Sequence, residues 1–263
     1  MKKRNLVLIV VLIVGTLGFA AVLPGAAQST SSPADNTPRR ATVADPLQVD
    51  SANPASASMA KLPWEWGPFF QGGNGIGYRS DFHFTAAGVR LGKVLTNQHL
   101  GSVFRGQFEL AGEIIPYWQA FTPPQGLQPV TVNDPAAGVN YTYYVPTGGG
   151  TFTGVSVTPV IFRWDFKPRR RFVPWFQAAG GVIYTTHKFP PDVLVTHGLP
   201  GGTSVWNFCP QGGIGLHYFV RPGRAITFSG SGVHISSASL GDRNPGVNAS
   251  IMFQIGYTFF SRR

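Results

Sequence analysis

The chain has 263 residues, and only 12% are charged, about half the share of a soluble domain, while aromatic residues reach 13%. Many aromatics with few charges exclude disorder for most of the chain, and a single apolar N-terminal run excludes a bundle of membrane helices. The net charge of +10 is scattered or gathered in short runs such as Lys167-Pro168-Arg169-Arg170-Arg171. That pattern fits no nucleic-acid-binding module and suits anionic lipid headgroups better.

Residues 1–27 read as a secretory signal peptide: Lys2-Lys3-Arg4, an apolar run from Leu6, then Pro24-Gly25-Ala26-Ala27 before Gln28. The apolar run is long for a signal, so an uncleaved anchor is the alternative; both export the rest of the chain. Residues 28–62, rich in Ser, Ala, Pro, Asp and Asn with no apolar period, read as a flexible, disordered linker. From Trp64 onward, through residues 63–263, the apolar period becomes two.

Eight such runs are expected, at about 64–78, 82–95, 103–118, 153–166, 171–186, 204–220, 224–238 and 247–260. In the third, Phe108, Leu110, Gly112 and Ile114 share one face, and Gln107, Glu109, Ala111 and Glu113 share the other. In the sixth, Trp206, Phe208, Pro210, Gly212, Ile214, Leu216, Tyr218 and Val220 oppose Asn207, Cys209, Gln211, Gly213, Gly215, His217 and Phe219. Carboxylates opposite an apolar stripe belong in a polar barrel interior. The fourth run changes parity near Pro159, which predicts a bulge, and the fifth is ambiguous. An even number of long alternating runs predicts an all-β fold, an eight-stranded antiparallel transmembrane β-barrel of the bacterial outer membrane. The connections agree: 96–102, 167–170 and Arg221-Pro222-Gly223 are short, as periplasmic turns are. The outer loops 119–152 and 187–203 are long, with a short first hairpin at Arg79-Ser80-Asp81. The tyrosines of the first long loop, Tyr141, Tyr143 and Tyr144, are expected on the barrel rim rather than in lipid.

The lone Cys209 allows no internal disulfide and no CxxC pair. His83, His99, His187, His197 and His217 lack partners at metal-ligand spacing, so no metal is expected, and no organic cofactor. The glycine clusters at 72–77 and 212–215 fit no nucleotide fingerprint and read as small residues where backbones or side chains crowd. The seventh run is different. Ile226 and Phe228 share parity with Gly230, Gly232, His234 and Ser236, opposite the hydroxyls of Thr227, Ser229 and Ser231. An imidazole and a hydroxyl two residues apart on a lipid-facing surface are costly unless used. Their Cβ atoms lie roughly 6–7 Å apart, the spacing of a general base beside a nucleophile addressed to a substrate in the bilayer. The alternative is a polar pair at headgroup level.

His234-Ile235-Ser236, followed by Asn244-Pro245-Gly246, resembles the lipid A 3-O-deacylase family of outer-membrane acyl hydrolases. The resemblance implies an eight-stranded barrel whose His234 is the base and Ser236 the nucleophile, facing the membrane near the outer surface. It implies lipid A, or lipopolysaccharide, as substrate among the outer-membrane lipids. Two positions depart from the family pattern. Ser237 stands where the family usually has Asn, and Asn248 stands fourteen residues after His234, where well-studied members have the Glu that orients the base. An Asn carbonyl accepts an imidazole N–H but does not offset an imidazolium charge. Asn248 as orienting residue, or Asp242 in its place, remain the two choices for a third member, with Asn244 and Ser237 as oxyanion and loop support. The competing expectation is a non-catalytic barrel that has lost its acidic member. A small-solute channel fits poorly, because eight strands leave an interior just filled by side chains.

Overall fold

The computed structural model describes residues 53–124, 126–147, 149–189, 204–238, 240 and 248–261. The expected signal peptide, most of the linker and of the 187–203 loop, Asp242 and Asn244 lie outside the described residues.

Eight strands close an antiparallel barrel: β1 (Trp64–Gly75), β2 (His83–Val94), β3 (Gly106–Phe121), β6 (Thr151–Phe166), β7 (Phe172–Phe189), β8 (Ser204–Arg221), β9 (Arg224–His234) and β10 (Ala249–Ser261). Each pairs with its neighbour in sequence, β3 reaches across to β6, and β1 meets β10, so no edge is left open. The strands alternate as expected. On β3, Leu110 and Ile114 face outward and are exposed, while Gln107, Glu109 and Glu113 are buried in the lumen. The ambiguous fifth run is a regular strand, β7, with Val173, Trp175, Gln177, Ile183 and Thr185 inward. The register of β6 against both neighbours slips around Thr158–Val160, where Pro159 removes a ladder donor; this is the bulge read from the parity change.

The lumen is filled in three layers. Toward the long loops, Phe84, Trp118 and Phe152 each meet Phe189 edge to face, and Phe84 and Trp118 meet at a tilt, with ring centroids 5.2–6.3 Å apart. The middle holds a charged network. Arg163, fully buried, donates to both oxygens of Glu65 (3.0 and 3.1 Å), pairs with Glu109 (3.6 Å), donates to Gln177 and lies 3.9 Å from the Trp175 ring centroid. Arg90 joins Glu113 at 3.4 Å and the same Gln177 at 2.8 Å. His217 accepts from Arg163 at Nε2, so its protonated Nδ1 donates to Thr227, whose hydroxyl meets Thr258. At the short-turn end, Val94, Val173, Phe219, Ala225 and Phe260 form an apolar floor.

That floor is completed by a helix, α1 (Pro54–Met59), inside the stretch expected to be flexible linker. The linker reading is corrected here. Asn53 caps α1 by accepting from the Ala55 and Ser56 amides, Pro54 opens it, Ala55 and Met59 are buried in the floor, and Ser58 accepts from the Gly223 amide. Six residues are too few for a readable period, and a helix this short is held by packing rather than propensity. The 119–152 loop also has structure of its own, a hairpin of β4 (Gly126–Asp134) and β5 (Val139–Thr147) closed by Asp134, which accepts from the Ala136 and Ala137 amides. Tyr141 and Tyr144 pair across it with Val132 and Pro129 and stay exposed, 50% and 65%, so the expected rim packing is corrected for both.

Candidate active site

β9 positions the His–Ser pair at the long-loop end of the barrel. His234 is its last residue and pairs with Ala249 of β10. On the other side, the β8 register places Pro210 opposite His234, and proline has no N–H to donate, so the regular ladder stops there. Two residues later it resumes: Ser236 and Phe208 exchange both backbone bonds, 2.7 and 3.0 Å. Cross-strand partners share a face, and Phe208 is outward and exposed. Ser236 therefore lies on the outward face, as does His234, which keeps the parity of Ile226 and Phe228. Ile235 between them is buried in the lumen and anchors the segment from inside. Ser236 is only 8% exposed, and its Oγ accepts from the Ala238 amide at 3.2 Å, which ties the hydroxyl to the turn that follows.

The other expected members are placed differently. Asn248 pairs with Ile235, not with His234; its carbonyl accepts from the Ile235 amide (2.9 Å) and its side-chain amide donates to the Ile235 carbonyl (3.2 Å). It shares the inward face of Ile235 and Ser250 and holds the peptide between base and nucleophile rather than the imidazole ring. Among the described residues, none hydrogen-bonds the His234 ring. Ser237 is buried, and its carbonyl accepts from Leu240. Asp242 and Asn244 fall outside the described residues, and no group of three metal-ligating side chains occurs among those described.

Glycines supply a feature that the sequence reading missed. Crowding does explain the inward ones: a Cβ on Gly213 would meet Gly230 O at 2.8 Å, and one on Gly215 would strike Trp175. The outward ones are different. A Cβ on Gly232 would meet nothing within 4 Å, one on Gly212 only Gln177 O at 3.9 Å, and one on Gly230 the Phe253 ring at 3.7 Å. Packing does not demand glycine there. Gly232 pairs with Gly212 and Ile251, and Gly230 with Ile214 and Phe253. The result is a bare gutter running from His234 down β9 toward the membrane middle, walled by exposed Ile251, Phe253 and Ile214. Parity alone would have found it: Gly230 and Gly232 fall on the lipid-facing side, where a strand has room for any side chain.

The family model for lipid A 3-O-deacylase (PagL) matches residues 61–258, which takes in His234, Ser236 and Asn248. The chain belongs to the lipid A 3-O-deacylase family. The family and the barrel together indicate the bacterial outer membrane. Among solved structures, the chain is similar to the outer membrane enzyme PagL, at 13% identity and a TM-score of 0.38 over 73% of this chain and 98% of that one. It is also similar to Ail, the attachment invasion locus protein of Yersinia pestis (13%, 0.36, 76% and 98%), and to OprG from Pseudomonas aeruginosa (9%, 0.36, 77% and 97%). No curated protein matches it.

Proposed function

We propose that the protein hydrolyses an acyl ester of lipid A in the outer membrane, with Ser236 as nucleophile and His234 as its base. The observation that carries this reading is an imidazole and a hydroxyl two residues apart on the outward face of a barrel from the lipid A 3-O-deacylase family. The His234 imidazole takes the Ser236 proton as Oγ attacks the ester carbonyl, then returns it to the departing sugar oxygen. Water, deprotonated by the same imidazole, attacks the acyl-serine, releasing a free fatty acid and the Ser236 hydroxyl. Asn244 and Ser237 are the proposed donors to the oxyanion or supports of its loop. No metal or organic cofactor takes part in these steps.

The gutter over Gly232 and Gly230 is the resting place of the acyl chain to be cleaved. Gly232→Leu fills it without touching the lumen, so heat-modifiability of the barrel should be unchanged while fatty-acid release falls by about tenfold or more. Retained full activity would remove the gutter from the site.

Asn248 acts here as a positioning residue through the Ile235 peptide, with Asp242 as the proposed acid toward His234. Because Asn248 faces the lumen, Asn248→Glu is expected to release fatty acid no faster than the wild type. A clear rise in kcat would instead place that carboxylate on the imidazole.

The nucleophile is tested with a long-chain alkyl fluorophosphonate on the folded barrel in detergent. Labelling is expected at Ser236 in peptide mapping, slowed by added lipopolysaccharide and not by phosphatidylcholine, and lost in His234→Gln. A folded barrel with Ser236 unlabelled would favour the second reading, a non-catalytic member of the family. One observation favours that reading: no described residue orients the His234 ring.

A further inference from the structure

We propose that the short-turn rim of the barrel is a binding surface for anionic phospholipid headgroups in the leaflet opposite the long loops. The proposal is independent of the hydrolytic site, which lies at the other end.

Charge is segregated along the barrel axis. The short-turn connections and strand ends present Arg105, Lys167, Arg169, Arg170, Arg171 and Arg221. Of the carboxylates in the described residues, Glu65, Glu109, Glu113 and Asp165 are buried in the lumen, and Asp81 and Asp134 lie at the long-loop end. Among the described residues, therefore, no exposed carboxylate sits at the short-turn rim, and the ion pairs are those of the lumen. Among the described residues the rim cations have no carboxylate counter-charge, and a surface of phosphodiesters supplies one.

Aromatic and apolar side chains at the same level distinguish a membrane from a soluble polyanion. On the outward face, Arg224 lies 4.4 Å from the Phe259 ring centroid and Lys93 5.4 Å from that of Trp64, while Trp66 stacks on Phe259 at 4.3 Å. These pairs lay long cationic stems along an aromatic girdle at this level, with the Lys93 ammonium donating to the Leu62 carbonyl and the Arg224 guanidinium to that of Gly223. Beside Arg105, the connection between β2 and β3 exposes Leu100, Val103 and Phe104, and Trp164 pins it by donating to the Phe104 carbonyl. An exposed apolar loop next to cations is suited to an interface with acyl chains on one side and phosphates on the other.

The test uses the full chain, folded in a nonionic detergent and mixed with equimolar dioleoyl phosphatidylglycerol and dioleoyl phosphatidylcholine, with bound lipid counted by native mass spectrometry. Phosphatidylglycerol should be retained over phosphatidylcholine by about fivefold or more. Arg169→Gln/Arg170→Gln/Arg221→Gln should bring the ratio close to unity while the barrel keeps its heat-modifiable gel shift. Should that variant not fold, Arg105→Gln/Lys167→Gln provides the same reading and should lower the ratio. Equal retention of the two lipids, or an undiminished preference in a folded variant, would overturn the proposal. So would collapse of the preference in millimolar inorganic phosphate, which would make the rim a plain phosphate site.

Discussion

Arg163→Met is expected to destabilise the barrel by about 3–5 kcal/mol, the cost of removing one partner from a buried ionic network. The guanidinium is completely enclosed and serves Glu65, Glu109, Gln177 and His217 at once, with Trp175 beneath it. Without it, among the described residues Glu65 keeps Arg90 at 3.9 Å and the His217 Nε2 at 3.6 Å, and Glu109 has no cation within pairing distance. Methionine fills much of the volume but returns none of the hydrogen bonds. Arg163→Lys should lose less, because the charge remains while the fork to both Glu65 oxygens does not. Urea unfolding of the barrel in lipid vesicles reads the effect. The exposed Arg221→Gln, as a control, should stay within about 0.5 kcal/mol of the wild type. An Arg163→Met barrel as stable as the wild type would mean that the network does not hold the lumen together.

At the opposite end, Ser236→Ala and His234→Gln should each lower the rate of fatty-acid release by about three orders of magnitude or more, with the fold intact. The segment is anchored mainly by other groups: by Ile235 in the aromatic layer, by backbone bonds to Phe208 and by Asn248. Nucleophile and base act as one unit, so the double variant should be no worse than the poorer single one. Additive losses would show that the two side chains work in separate steps.

Much of this was legible in the residues because a barrel wall has the simplest period there is. The alternation from Trp206 to Val220 placed Asn207, Cys209, His217 and Phe219 inside, where all four are buried. The same parity set His234 and Ser236 outward, and the switch at Pro159 marked the bulge. Features without a period were not legible. Six residues of α1 carry an Asn-Pro cap and little else, and their burial depends on a floor assembled from distant strands. The β4–β5 hairpin was masked by its proline-rich setting, although Asp134-Pro135 and Gly138 are turn residues. The face that Asn248 occupies was not legible for another reason: fourteen residues of sequence span a loop, and a loop does not transmit register. One position of offset exchanges the two faces of a strand, and the pairing of Asn248 with Ile235 is such an offset.

The most direct measurement of whether this family member is a lipid A hydrolase is the mass of lipid A after incubation of lipopolysaccharide with the folded barrel, wild type beside Ser236→Ala. The wild type is expected to remove the mass of a single 3-hydroxy fatty acid and Ser236→Ala none. Unchanged lipid A at high loading of folded wild-type barrel, or equal loss with Ser236→Ala, would contradict the assignment.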